Sequence, residues 1–97
     1  MKTKTEILKI LQSMKPMLKT DYNVKTIGVF GSLLHEKTHR QSDIDVLVEF
    51  EPPIGLFKFL ELEELLSKRL GGKVDLVSRK ALKPEIGRSV LTEAVLA

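Results

Sequence analysis

Ile7, Leu11, Met14 and Leu18 recur at the three-to-four-residue spacing of one helix face, with Ile10 beside them. Ahead of that run, Thr3-Lys4-Thr5-Glu6 has capping-box spacing, in which a hydroxyl and a carboxylate satisfy the first orphan amides. Pro16 interrupts the pattern. It lacks an amide donor and crowds the carbonyl of Gln12, so a kink or break is expected over residues 12–16. Val24 to Phe30 reads as a buried strand running into Gly31-Ser32, and residues 33–38 as a short helix or turn. Asp43 to Phe50, DIDVLVEF, is the clearest strand. Asp43, Asp45, Leu47 and Glu49 fall on one face, and Ile44, Val46, Val48 and Phe50 on the other. The second face is wholly apolar and is predicted to meet the core. The first is acidic except for Leu47.

Pro52-Pro53 ends this strand. Residues 55–70 form a leucine-rich helix, with Lys68 and Arg69 in its last turn and Gly71-Gly72 after it. Leu56, Phe57, Phe59, Leu60, Leu62, Leu65, Leu66 and Leu70 are more apolar positions than one stripe needs. Burial on two sides is the expected reason, and an interface with a partner or a second copy the alternative. Lys73 to Ser78 reads as a third strand. Pro84 suits the first turn of a last helix through about Leu96, which Gly87 weakens by about 1 kcal/mol relative to alanine. The order α-β-(α)-β-α-β-α predicts an α/β fold, a small sandwich with a three-stranded mixed sheet covered by helices.

With 97 residues, a single domain over 1–97 with a modest core is expected. Hydrophobic residues at 42% and charged residues at 30% are ordinary for a globular chain and argue against disorder. No apolar run approaches the roughly 20 residues of a membrane span, and MKTKTEILKI is too polar for a signal peptide. The absence of cysteine excludes disulfides, zinc–thiolate sites and thiol catalysis. A cytoplasmic location is expected. The net charge of +3 says little alone, but its distribution is uneven. Residues 1–40 hold 8 Lys/Arg and 3 Asp/Glu, residues 41–66 hold 1 and 7, and residues 67–97 hold 7 and 3. An acidic middle between basic ends suits a carboxylate site for cations near groups that attract phosphates, with scattered surface charge as the plain alternative. Aromatic residues are only 5%, so direct nucleic-acid binding is not expected.

Three features converge on chemistry. Gly31-Ser32 directly after a strand permits a sharp turn and close backbone approach to an anion, although such a pair is more often only a turn. Asp43 and Asp45, at i and i+2 of a strand, place two carboxylates on one face, where a hard cation such as Mg²⁺ would relieve their repulsion. Either a solvated strand face or a turn cap would also account for them. Asp75 lies inside the apolar strand Val74-Asp75-Leu76-Val77. It joins the same cluster if that strand lies beside Asp43–Phe50, and otherwise faces solvent on an edge.

GSLLHEKTHRQSDIDVLVEF resembles the Gly-Ser-x10-Asp-x-Asp signature of the DNA polymerase beta-type nucleotidyltransferase superfamily. Within it, the chain resembles the minimal nucleotidyltransferase (MNT) group over roughly residues 20–97, including Gly55-Leu56-Phe57, Lys73–Val77 and Glu93-Ala94-Val95. The resemblance implies that Asp43, Asp45 and Asp75 are catalytic and hold metal, with two Mg²⁺ ions at the site. It implies that Asp75 accepts the proton of the attacking hydroxyl and that Gly31 and Ser32 bind the β- and γ-phosphates. The implied reaction moves a nucleoside monophosphate, AMP from ATP, onto a protein or RNA acceptor. The implied partner is a HEPN-domain ribonuclease toxin, with this chain as antitoxin transferring AMP to a tyrosine; a homo-oligomer is left open. One departure stands out. Where many members carry an Arg-x-Arg-Gly-like segment, this chain has Leu33, Leu34, His35 and Glu36. Non-catalytic neutralisation of a partner by contact alone is therefore the competing reading.

Overall fold

Thr3 caps the first helix as its spacing predicts. Its Oγ1 accepts from the Glu6 amide at 3.2 Å, and the Glu6 carboxylate accepts from the Thr3 amide at 3.2 Å. The computed structural model describes residues 3–30, 44–81 and 94–97. Helix α1 (Lys4–Tyr22) ends at Asn23, which adopts the left-handed conformation (φ 58°) and leads directly into β1 (Val24–Phe30). Strand β2 (Ile44–Phe50) is followed by α2 (Leu56–Leu70), whose last turn closes at Gly71 with φ 75°. Then come β3 (Val74–Ser78), a 3₁₀ turn (Arg79–Ala81) and the two-residue β4 (Val95–Leu96).

The sheet order is β3-β2-β1-β4, with β1 antiparallel to both β2 and β4, and β2 parallel to β3. Helix α2 forms the crossover between the two parallel strands, as such a pair requires. Ile7, Leu11, Met14 and Leu18 of α1 and Leu62, Leu66 and Leu70 of α2 pack with Ile44, Val46, Val48, Val74 and Leu76 in one core. Each fully buried aliphatic side chain contributes about 1.5–3 kcal/mol of transfer free energy. The α/β class, the mixed sheet and the apolar face of DIDVLVEF are borne out.

Four expectations are corrected. The sheet has four strands, not three, because Val95–Leu96 pairs with Gly28 and Val29. Gly28 makes this possible: a Cβ there would lie 2.5 Å from the Val95 carbonyl oxygen. The last helix therefore does not reach Leu96, and the rest of its span, like the element at 33–38, lies outside the described residues. Of the kink or break expected near Pro16, the break does not occur: α1 is continuous through it. That residue is exposed, so the carbonyl it leaves unpaired has access to water while Leu11, Met14 and Leu18 hold the buried face. Finally, α2 is not buried on two sides. Leu56, Phe57 and Leu60 are exposed, Phe57 at 88%. Leu56 lines a cleft of about 220 Å³ together with Phe50, Ile54, Phe59 and Lys80 among others.

Candidate functional site

Strand alternation decides what lies on the sheet face away from the core. In β2, Ile44, Val46 and Val48 turn inward, which leaves Asp45, Leu47 and Glu49 on the opposite face. In β3, Val74 and Leu76 turn inward and Asp75 is exposed. The parallel register then pairs Asp45 directly with Asp75. Adjacent strands lie about 4.8 Å apart, so two acidic side chains share one spot on the sheet. The ladder starts one step earlier, where the Ile44 amide donates to the Lys73 carbonyl at 2.8 Å.

On the other side of β2, Asp45 pairs with Phe30, the last residue of β1. The end of β1, the start of β2 and the start of β3 therefore meet at one edge of the molecule. Gly31 and Ser32 follow Phe30 in the chain, and Asp43 immediately precedes β2. All three lie outside the described residues, so the structure unites Asp45 and Asp75 but does not place Asp43, Gly31 or Ser32. Among the described residues, no three His, Cys, Asp or Glu side chains converge as a metal-binding group. Asp45 and Asp75 nonetheless fit a hard divalent cation. They are oxygen ligands, side by side, on a face accessible to solvent.

Sequence reasoning missed two features. The first continues along the same face. Glu49 accepts from Arg79 Nη1 at 3.2 Å and from the Thr26 hydroxyl at 3.4 Å. Alternation placed Glu49 on the acidic face, but its partners come from β1 and from the 3₁₀ turn after β3 and carry no local signal. The second is at the outer edge of β3, where Ser67 and Glu63 of α2 accept amides of Val74 and Leu76, each at 3.0 Å. Nothing in the spacing of α2 distinguishes these two residues from ordinary surface positions.

A family model described as a nucleotidyltransferase domain matches residues 5–97. The chain is 45% identical over 95 residues to protein adenylyltransferase MntA of Thermococcus cleftensis, a match that covers 98% of this chain and 96% of that protein. Its fold is similar to a solved structure provisionally called a minimal nucleotidyltransferase, with 32% identity, a TM-score of 0.77 and coverage of 93% and 92% of the two chains. It is also similar to a solved toxin-antitoxin structure with AMP-PNP, with 26% identity, a TM-score of 0.70 and coverage of 96% of this chain and 70% of that one.

Proposed function

We infer the function from a premise that is itself secure: the chain belongs to the nucleotidyltransferase domain family. It is an MntA-like protein adenylyltransferase that moves AMP from ATP onto a protein, and it acts as the antitoxin of a HEPN toxin. The likeness to MntA over almost the whole chain supports the reaction, and the toxin-antitoxin structure holding AMP-PNP supports the nucleotide and the setting. The observation that carries the reading to this chain is the in-register pairing of Asp45 with Asp75 on parallel strands.

Asp45 and Asp75, with Asp43 two residues before Asp45, would hold Mg²⁺. When bound, that ion neutralises phosphate charge and lowers the pKa of an attacking hydroxyl. The chain's own residues then have three tasks. The carboxylates would hold the cation where the acceptor hydroxyl and the α-phosphate meet. Asp75, the exposed member of the pair, takes the hydroxyl proton as oxygen attacks the α-phosphorus. Gly31 and Ser32 offer donors to the β- and γ-phosphates, which depart together as pyrophosphate when the bond between the α-phosphorus and its bridging oxygen breaks. The acceptor is a tyrosine of the toxin.

The test is a transfer assay with labelled ATP, Mg²⁺ and the HEPN toxin. Label should reach the toxin with the wild type and not with Asp45→Asn. A wild type that transfers nothing under these conditions overturns the reading. The second reading, silencing by contact alone, is favoured by Leu33–Glu36 standing where the superfamily pattern that the chain resembles has a basic segment in many members. It is selected if Asp43→Ala/Asp45→Ala silences the toxin as well as the wild type does.

A further inference from the structure

Asp75 stands on an edge strand, and an edge strand is held on one side only. Its inner side is fixed by β2, through the Ile44–Lys73 hydrogen bond and the register that follows. Its outer side would present the amides of Val74 and Leu76, the two residues flanking Asp75, to water. They are not left there. The Val74 amide donates to Ser67 Oγ at 3.0 Å, and the Leu76 amide donates to Glu63 Oε2 at 3.0 Å. The Ser67 hydroxyl in turn donates to the Glu63 backbone carbonyl at 2.9 Å, which fixes its rotamer.

The match is geometric. Glu63 and Ser67 are four residues apart on α2, about 6 Å along its axis. Val74 and Leu76 are two residues apart on β3, about 6.6 Å. One helical turn therefore spans the two outward-facing amides, and Asp75 is centred between them. We propose that Glu63 and Ser67 are positioning residues for the carboxylate pair, holding the outer edge of β3 so that Asp75 stays in register with Asp45. Neither touches substrate. The inference rests on the proposed adenylyltransferase reading, because it presumes that the pair binds metal.

A purely stabilising edge cap would lower the melting temperature and leave metal affinity alone. A positioning role moves both. The test therefore measures Mn²⁺ binding by titration calorimetry, melting temperature, and the metal dependence of adenylyl transfer on the full chain. Glu63→Ala and Ser67→Ala should each weaken Mn²⁺ binding about tenfold, as loss of groups that orient metal ligands does. The metal concentration for half-maximal transfer should rise by the same factor. Glu63→Gln should behave as wild type, because its amide oxygen still accepts from Leu76. Ile10→Ala on α1, a destabilising change remote from β3, should leave Mn²⁺ affinity unchanged. Should Glu63→Ala fail to fold, Ser67→Ala alone decides the question. Unchanged Mn²⁺ affinity in Ser67→Ala and Glu63→Ala, with wild-type transfer intact, overturns the inference and leaves the proposed function standing. A wild type that neither binds Mn²⁺ nor transfers AMP overturns both.

Discussion

Two carboxylates directly opposite each other on neighbouring strands repel. Asp45 and Asp75 are such a pair, and Asp75 is the exposed member. Asp75→Asn keeps the size and removes the charge. It is expected to reduce AMP transfer by about 10²–10⁴-fold, the usual contribution of a positioned proton acceptor. In metal-free buffer the same variant should be no less stable than wild type, and more stable by up to about 1 kcal/mol. Thermal unfolding with a chelator present, beside the transfer assay, checks both halves. A variant that loses stability and activity together would make Asp75 a structural residue. This residue was legible in the sequence as an acid in an apolar strand. Its place in one cluster with Asp43 and Asp45 was conditional on the two strands being neighbours; the parallel register meets that condition and sets Asp45 opposite it.

At the scale of elements, legibility followed locality. The capping box, the alternation of β2 and the double glycine after α2 are short-range patterns, and the structure carries each of them. Strand β4 has only two residues, and its place depends on the room left by Gly28, far away in sequence. Pro16 misled for a related reason. Propensity counts the lost hydrogen bond, but tertiary packing of Leu11, Met14 and Leu18 sustains α1 across it. The cost should still be present. Pro16→Ala is expected to stabilise the protein by about 1–3 kcal/mol, measured by urea unfolding, and an unchanged or lower midpoint would refute this account.

A second element-level tie joins α1 to α2, where the Tyr22 hydroxyl donates to Glu61 Oε2 at 2.7 Å. The hydrogen bond to Glu61, then burial, pushes the Tyr22 phenol up to about 12 from an ordinary value of 10.0. The same bond, with Lys58 nearby, holds the Glu61 carboxyl below its ordinary value. The phenol must stay protonated to donate. Its contribution is therefore complete below pH 10 and is lost as pH rises from about 10 to about 12. The Glu61 contribution is present above its ordinary value of 4.5 and is lost as pH falls through the lowered one. Tyr22→Phe should therefore flatten both the alkaline and the acid decline of the melting temperature. Melting curves of the two proteins from pH 3 to pH 11.5, equally steep at both ends, would show that the bond contributes nothing.

Across the whole molecule, charge and fold divide the surface by task. The two described helices and the core lie on one face of the sheet, and the acidic pair stands on the other. The segment 41–66 that supplies most of the acidity is flanked in sequence by basic ends that favour an approaching polyphosphate. If ATP binds at this pair, as proposed above, it is expected to be a poor ligand by itself, since its charge has the same sign as the carboxylates. A divalent cation reverses the sign at the point of contact. A ligand that binds only the folded state stabilises it by about 2.7 kcal/mol at a hundred times its Kd. For a domain of this size that is a rise in melting temperature on the order of 10 °C. ATP with Mg²⁺ should produce such a rise, ATP with a chelator should not, and Asp45→Asn should abolish it. Equal shifts with and without the cation would mean that the nucleotide binds away from the carboxylates, because a polyanion seated beside two carboxylates gains from a divalent cation between them.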